Sequence, residues 1–356
     1  TKCTRQFYEE SIHIREVKLE AAEHAYDELL TTLEKPQPKE NAPKTAVVGG
    51  GPAGISAGYL LAREGMPVTV FEKSETIGGV CSQIVPEFRI SMESVQKDVQ
   101  LAEFMGAEFR TGQEAPSLAE LKNQGYTNVI YAIGAWKHGV LRLESGRALN
   151  SLEFLKANRE NPTINPYGEQ IVVVGGGNTA MDCARAATTL PGVKKVSVVY
   201  RRNKRNMPAD EEELYLALED GVDFLELLSP IKHENQQLTC EKMVLGERDA
   251  SGRRRPIGTG EMIDIPADTV IAAVGEKVDT EFYQALGIHT DNYGKVVSNQ
   301  ETLETNIPGV YVIGDANLGP ATIVEAIADA TKAANNICLV HNHHYRSEER
   351  RVGKEC

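Results

Sequence analysis

The stretch from Ala46 to Gly58, Ala-Val-Val-Gly-Gly-Gly-Pro-Ala-Gly-Ile-Ser-Ala-Gly, constrains the chain more than any other. Ala46, Val47 and Val48 predict a short buried strand. Gly49, Gly51 and Gly54 then fall at G-x-G-x-x-G spacing, and Ile55 to Arg63 predicts a helix that Gly65 stops. In such a strand–turn–helix the first glycine permits the tight turn. The second lets backbone approach a pyrophosphate, and the third lets helix pack on strand. The helix start adds open N–H groups and a partial positive charge. A lone pattern of this kind also fits an ordinary tight turn in an α/β protein, but the continuation argues against that. Pro67 to Phe71 is a second apolar run, and it ends on Glu72. A carboxylate there can accept the 2′- and 3′-hydroxyls of an adenosine ribose.

The pattern repeats. Gln170 to Ala187 contains Gly175, Gly177 and Ala180 at G-x-G-x-x-A spacing, again after an apolar strand and before a helix. Lys195 to Tyr200 predicts the next strand. Where the first copy ends on an acid, this one ends on Arg201 and Arg202, with Lys204 and Arg205 close behind. A carboxylate repels a 2′-phosphate, whereas guanidinium groups bind one through a planar donor fork. The first site therefore suits a nucleotide without a 2′-phosphate, such as FAD, and the second suits NADPH over NADH. An arginine pair can also be no more than a solvated basic turn.

The rest of the chain frames these two units. Ile14 to Leu33 has apolar residues at helical intervals and predicts an amphipathic helix. Residues 35 to 43 are a polar, proline-rich linker. Glu75 to Gly79 predicts a flexible loop able to pass close to a cofactor. Met92 to Met105 reads as a helix, and Asn128 to Gly134 and Thr269 to Gly275 read as buried strands ending in glycine. Asp210 to Glu213 opens a helix with acids at its positive end, a capping pattern rather than a catalytic one. Leu238 to Asp268 predicts antiparallel strands around a turn at Asp249 to Gly252. Gly309 to Asp315 is a strand ending in Gly314-Asp315, followed by a small-residue helix over 321–334. The expected fold is α/β, with two Rossmann-like βαβ dinucleotide-binding domains, the NADPH domain inserted into the FAD domain. The expected boundaries are an N-terminal helix and linker over 1–43, an FAD domain over 44–150 and 277–338, an NAD(P)H domain over 151–276, and a disordered, non-native tail over 339–356.

Bulk properties exclude several classes. A formal charge of −13 over 356 residues argues against a nucleic-acid-binding surface. No apolar run reaches the roughly 18–20 residues of a membrane span. Cys3, Cys81, Cys183, Cys240, Cys338 and Cys356 are scattered without a C-x-x-C pair. That usage fits reduced thiols in a cytoplasm, not a disulfide framework. Asn342-His343-His344 could suggest a metal, but its polar, charged surroundings favour plain tail sequence.

Taken together, residues 3 to 338 resemble the FAD/NADPH module of the glutamate synthase small subunit and of dihydropyrimidine dehydrogenase. Within that group they are most similar to the flavoprotein part of the selenate reductase subunit family. The resemblance rests on Gly49 to Gly58, Glu72 to Gly79, Ile84 to Ile90, Gly175 to Ala187, Tyr200 to Glu213 and Gly314 to Ala334. It implies that Gly49, Gly51, Gly54 and Glu72 hold the ADP part of FAD, with Gly79 in the adjoining loop. It makes Arg89 an FAD contact, and places Gly314, Asp315, Thr322 and Ile323 at the flavin end. It places NADPH on Gly175, Gly177, Asn178, Thr179, Arg201 and Arg202, with Arg205 as a third phosphate contact. In these families a cysteine-rich domain with [4Fe–4S] clusters precedes the module. Here Cys3 alone stands in that place, and one cysteine cannot hold such a cluster.

The implied activity is hydride transfer from NADPH to FAD, then electron release to iron–sulfur clusters of another domain or a partner subunit. It requires no protein acid, base or nucleophile, so no catalytic residue is expected. The alternatives are a pyridine-nucleotide disulfide reductase, which needs a dithiol that Cys81 lacks, a flavin monooxygenase, and a non-catalytic nucleotide-binding fragment.

Overall fold

A computed structural model describes residues 3–39, 41–248, 252 and 254–340. The predicted turn at 249–252 falls largely outside these residues, as does the expected tail beyond 340.

After a 3-10 turn at Thr4–Phe7, the chain forms α1 (Ile14–Thr32) and then enters a first βαβ unit. This comprises β1 (Lys44–Val48), α2 (Pro52–Arg63), β2 (Val68–Phe71), the short α3 (Val80–Gln83), α4 (Met92–Met105), β3 (Glu108–Arg110), α5 (Leu118–Asn123) and β4 (Tyr126–Tyr131). A short strand β5 (Lys137–His138) leads into a second unit. It contains β6 (Leu149–Asn150), α6 (Ser151–Glu160), β7 (Gln170–Val174), α7 (Asn178–Thr188), β8 (Lys195–Tyr200), α8 (Glu211–Glu219) and β9 (Asp223–Glu226). Three antiparallel strands follow: β10 (Leu228–Glu234), β11 (Gln237–Arg248) and β12 (Arg254–Pro266). The second unit closes with β13 (Thr269–Ala272). The chain then returns through β14 (Glu276–Lys277), α9 (Thr280–Ala285), β15 (Val310–Val312), α10 (Asp315–Leu318) and α11 (Ile323–Val340).

The first sheet has the order β15-β4-β1-β2-β3 and the second β6-β13-β7-β8-β9, and both are parallel. In each, the order reverses beside the strand that feeds the glycine turn, which is where open α/β sheets bind ligands. Parallel strands buried on both faces read as unbroken apolar runs, and these do. In the first unit, Val47, Val70, Ile130 and Ile313 face a core with α2 and α11. Phe71, Tyr131 and Val312 face Tyr283 on the other side. In the second, Ile171, Val173 and Val198 pack on Met181 of α7. Val172, Val174 and Val199 pack on Leu238 and Cys240, so the antiparallel sheet covers that face.

The chain crosses between sheets at the two-stranded ribbon β5/β14, where Lys137 pairs with Lys277 and His138 with Glu276. Because β6 pairs with β13, Leu149 and Asn150 stand in the second sheet. And α1 forms where predicted but buries none of its residues; Ile14, Val17 and Leu19 are all more than half exposed. Periodicity marks a helix face without showing what covers it.

Candidate functional site: two open glycine turns

Gly49 adopts φ +108°, which only glycine takes without strain, and a Cβ there would strike the Ala132 carbonyl just after β4. A Cβ on Gly54 would strike the carbonyl of Gly49. Packing therefore requires the first and third glycines. It does not require the second. Gly51 has φ −77°, and a Cβ there would meet nothing nearer than the Gly79 Cα at 3.9 Å. Gly177 repeats this in the second unit, with φ −97° and only Pro208 Cγ at 4.0 Å. Neither conformation nor packing explains a bare backbone at these two points. Gly51 and Gly177 are also the N-caps of α2 and α7, and neither helix has a side-chain cap. The first-turn N–H groups therefore have no acceptor from a capping side chain, as an anion site requires. A phosphate-bearing nucleotide fits both places.

The surroundings of the two turns differ. Glu72 is 7% exposed; its Oε2 accepts the Gly50 N–H at 2.7 Å and its Oε1 accepts the Ser74 N–H at 2.8 Å. The acid predicted for a ribose thus also braces the glycine turn. The loop at Gly78-Gly79 runs against that turn: Gly78 N–H donates to the Gly50 carbonyl at 2.8 Å, and a Cβ on Gly79 would lie 2.9 Å from Gly51 Cα.

In the second unit, Val174 pairs with Val199 as Val48 pairs with Phe71. Tyr200 therefore stands in the register of Glu72, a correspondence that the sequence comparison with Arg201 and Arg202 missed by one residue. Its ring lies over Gly176, and its hydroxyl donates to the Asn206 carbonyl at 2.8 Å. Arg201 and Arg205 are exposed beside this turn. Arg202 is not: it is 8% exposed, and its Nε donates to the Arg254 carbonyl of β12 at 2.8 Å. Asn178 Oδ1 accepts the Asp210 N–H at 3.1 Å, and the Gly176 carbonyl accepts the Ala209 N–H at 3.1 Å. The loop with Arg205 is thereby tied to the start of α7, next to Gly175 and Thr179.

At the other end of the first unit, Gly314 adopts φ +64°, and a Cβ on it would lie 2.9 Å from the Ala53 Cβ of α2. Asp315 thus comes close to the first glycine turn. Its Oδ1 accepts the Ala321 N–H at 3.1 Å, and burial pushes its carboxyl up to about 6. Buried Asp329 braces this turn, accepting from Gly314 N–H at 3.2 Å and Asn317 Nδ2 at 3.0 Å. Asp329 shares a helix face with Ala326, Ala330 and Ala333, and a lone acid on that small-residue face was the signal that could have found it. The start of α11, expected to face a flavin, is closed by its own side chains. Thr322 and Glu325 form a reciprocal cap, with Thr322 N–H to Glu325 Oε2 at 2.9 Å and Glu325 N–H to Thr322 Oγ1 at 3.2 Å.

Arg89 does not point at either glycine turn's cap residues. Its guanidinium bonds Asp182 of α7 and both carboxylate oxygens of Glu213 of α8. Glu213, expected as helix capping, is drawn into this pair, and Glu212 pairs with Arg15 of α1. Cys81 is buried, and burial pushes its thiol up to about 11, far from thiolate character at neutral pH. Cys81, Cys183, Cys240 and Cys338 form no disulfide among the described residues.

The family model of the pyridine nucleotide-disulphide oxidoreductases matches residues 43–330. The chain belongs to that family. Within the family it fits the glutamate synthase small-subunit-like flavoproteins: it is 31% identical over 325 residues to the glutamate synthase [NADPH] small chain of Escherichia coli (strain K12), covering 84% of this chain and 69% of that one. It is 41% identical over 346 residues to YgfK of the same organism, a protein named as an oxidoreductase without a stated substrate. That match covers 96% of this chain but 33% of YgfK, so the chain spans about a third of that relative's length. Mycobacterium tuberculosis FprA, solved in complex with NADPH, shares the fold of this family member with a TM-score of 0.70 at 20% identity, covering 89% and 87% of the two chains. No helix of the described residues is long and apolar enough to cross a membrane.

Proposed function

We propose that the chain is an FAD-dependent NAD(P)H oxidoreductase module that takes electrons in from NADPH. The observation that carries this reading is the pair of glycines, Gly51 and Gly177, that nothing within the chain requires. Each caps an open helix start, one beside the buried acid Glu72 and one beside exposed Arg201 and Arg205. In this reading the first unit holds FAD by Gly49, Gly51, Gly54, Glu72 and Gly79, with Gly314 and Asp315 at the flavin end. The inserted unit holds NADPH by Gly177, Asn178 and Thr179, with Arg201 and Arg205 on the 2′-phosphate. Bound flavin supplies a ring that accepts a hydride and can return electrons one at a time. The protein's part is to bind, align and shield the two nucleotides. The name of the glutamate synthase small chain, which carries NADPH and implies a larger companion, supports both the donor and a partner. Iron–sulfur clusters of a further domain or partner subunit are the proposed acceptor, and the cytoplasm the proposed compartment.

Anaerobic titration with NADPH, followed by flavin absorbance, tests this. Bleaching at about one NADPH per FAD is expected. A yellow protein that does not bleach removes the nicotinamide assignment, and a colourless one removes the FAD assignment.

A further inference from the structure

Residues 84–90 belong to the first unit by chain order, yet the inserted unit grips them. Ile84 is 5% exposed in the core formed by Phe154, Met181 and Ala184. Arg159 of α6 donates to the Val85 carbonyl and, at 3.5 Å, to the Ile90 carbonyl. The Arg185 guanidinium of α7 sits 4.4 Å from the Phe88 ring centroid. Arg89 then reaches two helices at once: Nε bonds Asp182 of α7, and the terminal nitrogens bond both oxygens of Glu213 on α8, Nη1 to Oε1 at 2.6 Å. All three side chains are largely sheltered, at 22%, 12% and 15% exposure. A planar fork on a carboxylate fixes direction as well as distance.

The covalent crossing, the ribbon β5/β14, is only two residues long on each strand. The ion pairs of its Lys137, with Asp279 at 2.7 Å and Glu281 at 3.2 Å beyond β14, are nearly half exposed or more and hold little. A ribbon so short leaves the inserted unit free to rotate about it. A second attachment away from the ribbon removes that freedom. We infer that Arg89 is a positioning residue, a latch between the two units that sets the inserted unit's glycine turn at a fixed orientation to the first unit's. Its consequence for hydride transfer rests on the functional reading above; the latch itself does not.

The test measures orientation and chemistry separately. Nitroxide labels are placed at exposed Lys122 of the first unit and exposed Glu153 of the second, each changed to Cys, with Cys3→Ser and Cys356→Ser. The interspin distance distribution is then recorded with Arg89 intact, with Arg89→Ala and with Arg89→Lys. A single narrow distribution with Arg89 is expected to broaden or split in Arg89→Ala. Arg89→Lys, which keeps the charge but not the fork, is expected between the two. In stopped-flow reduction at saturating NADPH, Arg89→Ala should slow flavin bleaching about tenfold or more, with the NADPH Kd within about twofold, because misalignment costs rate and not binding. Glu213→Gln, which weakens one arm only, carries the same measurement if Arg89→Ala does not fold. An unchanged distance distribution overturns the latch, whatever the rate. Loss of FAD from Arg89→Ala without broadening also overturns it, and makes Arg89 a flavin contact. Broadening in a protein whose parent is not reduced by NADPH supports the latch and overturns the functional reading alone.

Discussion

Glu72 accepts the amide N–H of Gly50 at 2.7 Å, so the acid after β2 and the glycine turn after β1 form one rigid piece. A second amide, from Ser74 at 2.8 Å, occupies its other oxygen. Charge-assisted bonds to a buried carboxylate contribute about 1.5–3 kcal/mol each, and removing the acceptor leaves buried donors unpaired. Glu72→Ala should therefore destabilise the flavin-free protein by roughly 2–4 kcal/mol in urea unfolding. A residue that served only a ribose would leave the flavin-free protein unchanged, and that result would refute the brace.

Arg201 and Arg202 are neighbours with opposite circumstances. Arg201 is exposed beside the second glycine turn, while Arg202 is buried and bonded to the Arg254 carbonyl. In the proposed reading, Arg201→Ala and Arg205→Ala should raise the KM for NADPH by about tenfold or more, with little effect on NADH, since each would remove a charge-assisted phosphate contact. Arg202→Ala should instead lower the unfolding midpoint and loosen the antiparallel sheet, raising the KM for both nucleotides alike. Steady-state kinetics with both donors separates the two. A selective NADPH effect from Arg202→Ala alone would reverse the assignment.

What the sequence displayed was whatever local sterics dictate. Gly49 and Gly54 had to be glycine because backbone carbonyls lie where their side chains would be, and the spacing of such collisions is written in the chain. The apolar runs of β1, β4, β7 and β13 were legible because both faces are covered. The partners of Arg89 were not, because Asp182 lies 93 residues away and Glu213 lies 124 away, and only the packing of one unit on the other brings them together. The match of Arg201 and Arg202 to Glu72 failed for a related reason: the register Val174 with Val199 puts Tyr200, not an arginine, at the position of Glu72. One residue of offset turns one neighbour outward and the next inward. The pattern of α1 gave a helix but not its cover, since the intervals of Ile14 and Val17 do not specify a partner.

Asp315 offers a prediction with opposite signs for the empty and loaded protein. Burial pushes its carboxyl from 3.8 to about 6, so the fold favours the protonated form. A group whose folded value lies above its unfolded value adds stability below the unfolded value, and that contribution is lost as pH rises through the folded one. Stability of the flavin-free protein from this group should therefore fall between about pH 4 and pH 6 and stay low above. Asp315→Asn keeps an oxygen for the Ala321 N–H but carries no charge. It should stabilise the flavin-free protein at pH 8 by about 2 kcal/mol, with the gain fading as the pH falls toward 4. In the proposed reading the same change weakens FAD retention, because a charged acceptor beside the ribityl chain is replaced by a neutral one. Urea unfolding of the flavin-free protein across that range, set beside FAD content after gel filtration, reads both effects. Destabilisation at pH 8 would show that the carboxylate is held by contacts stronger than its burial, and the account of Asp315 would fail.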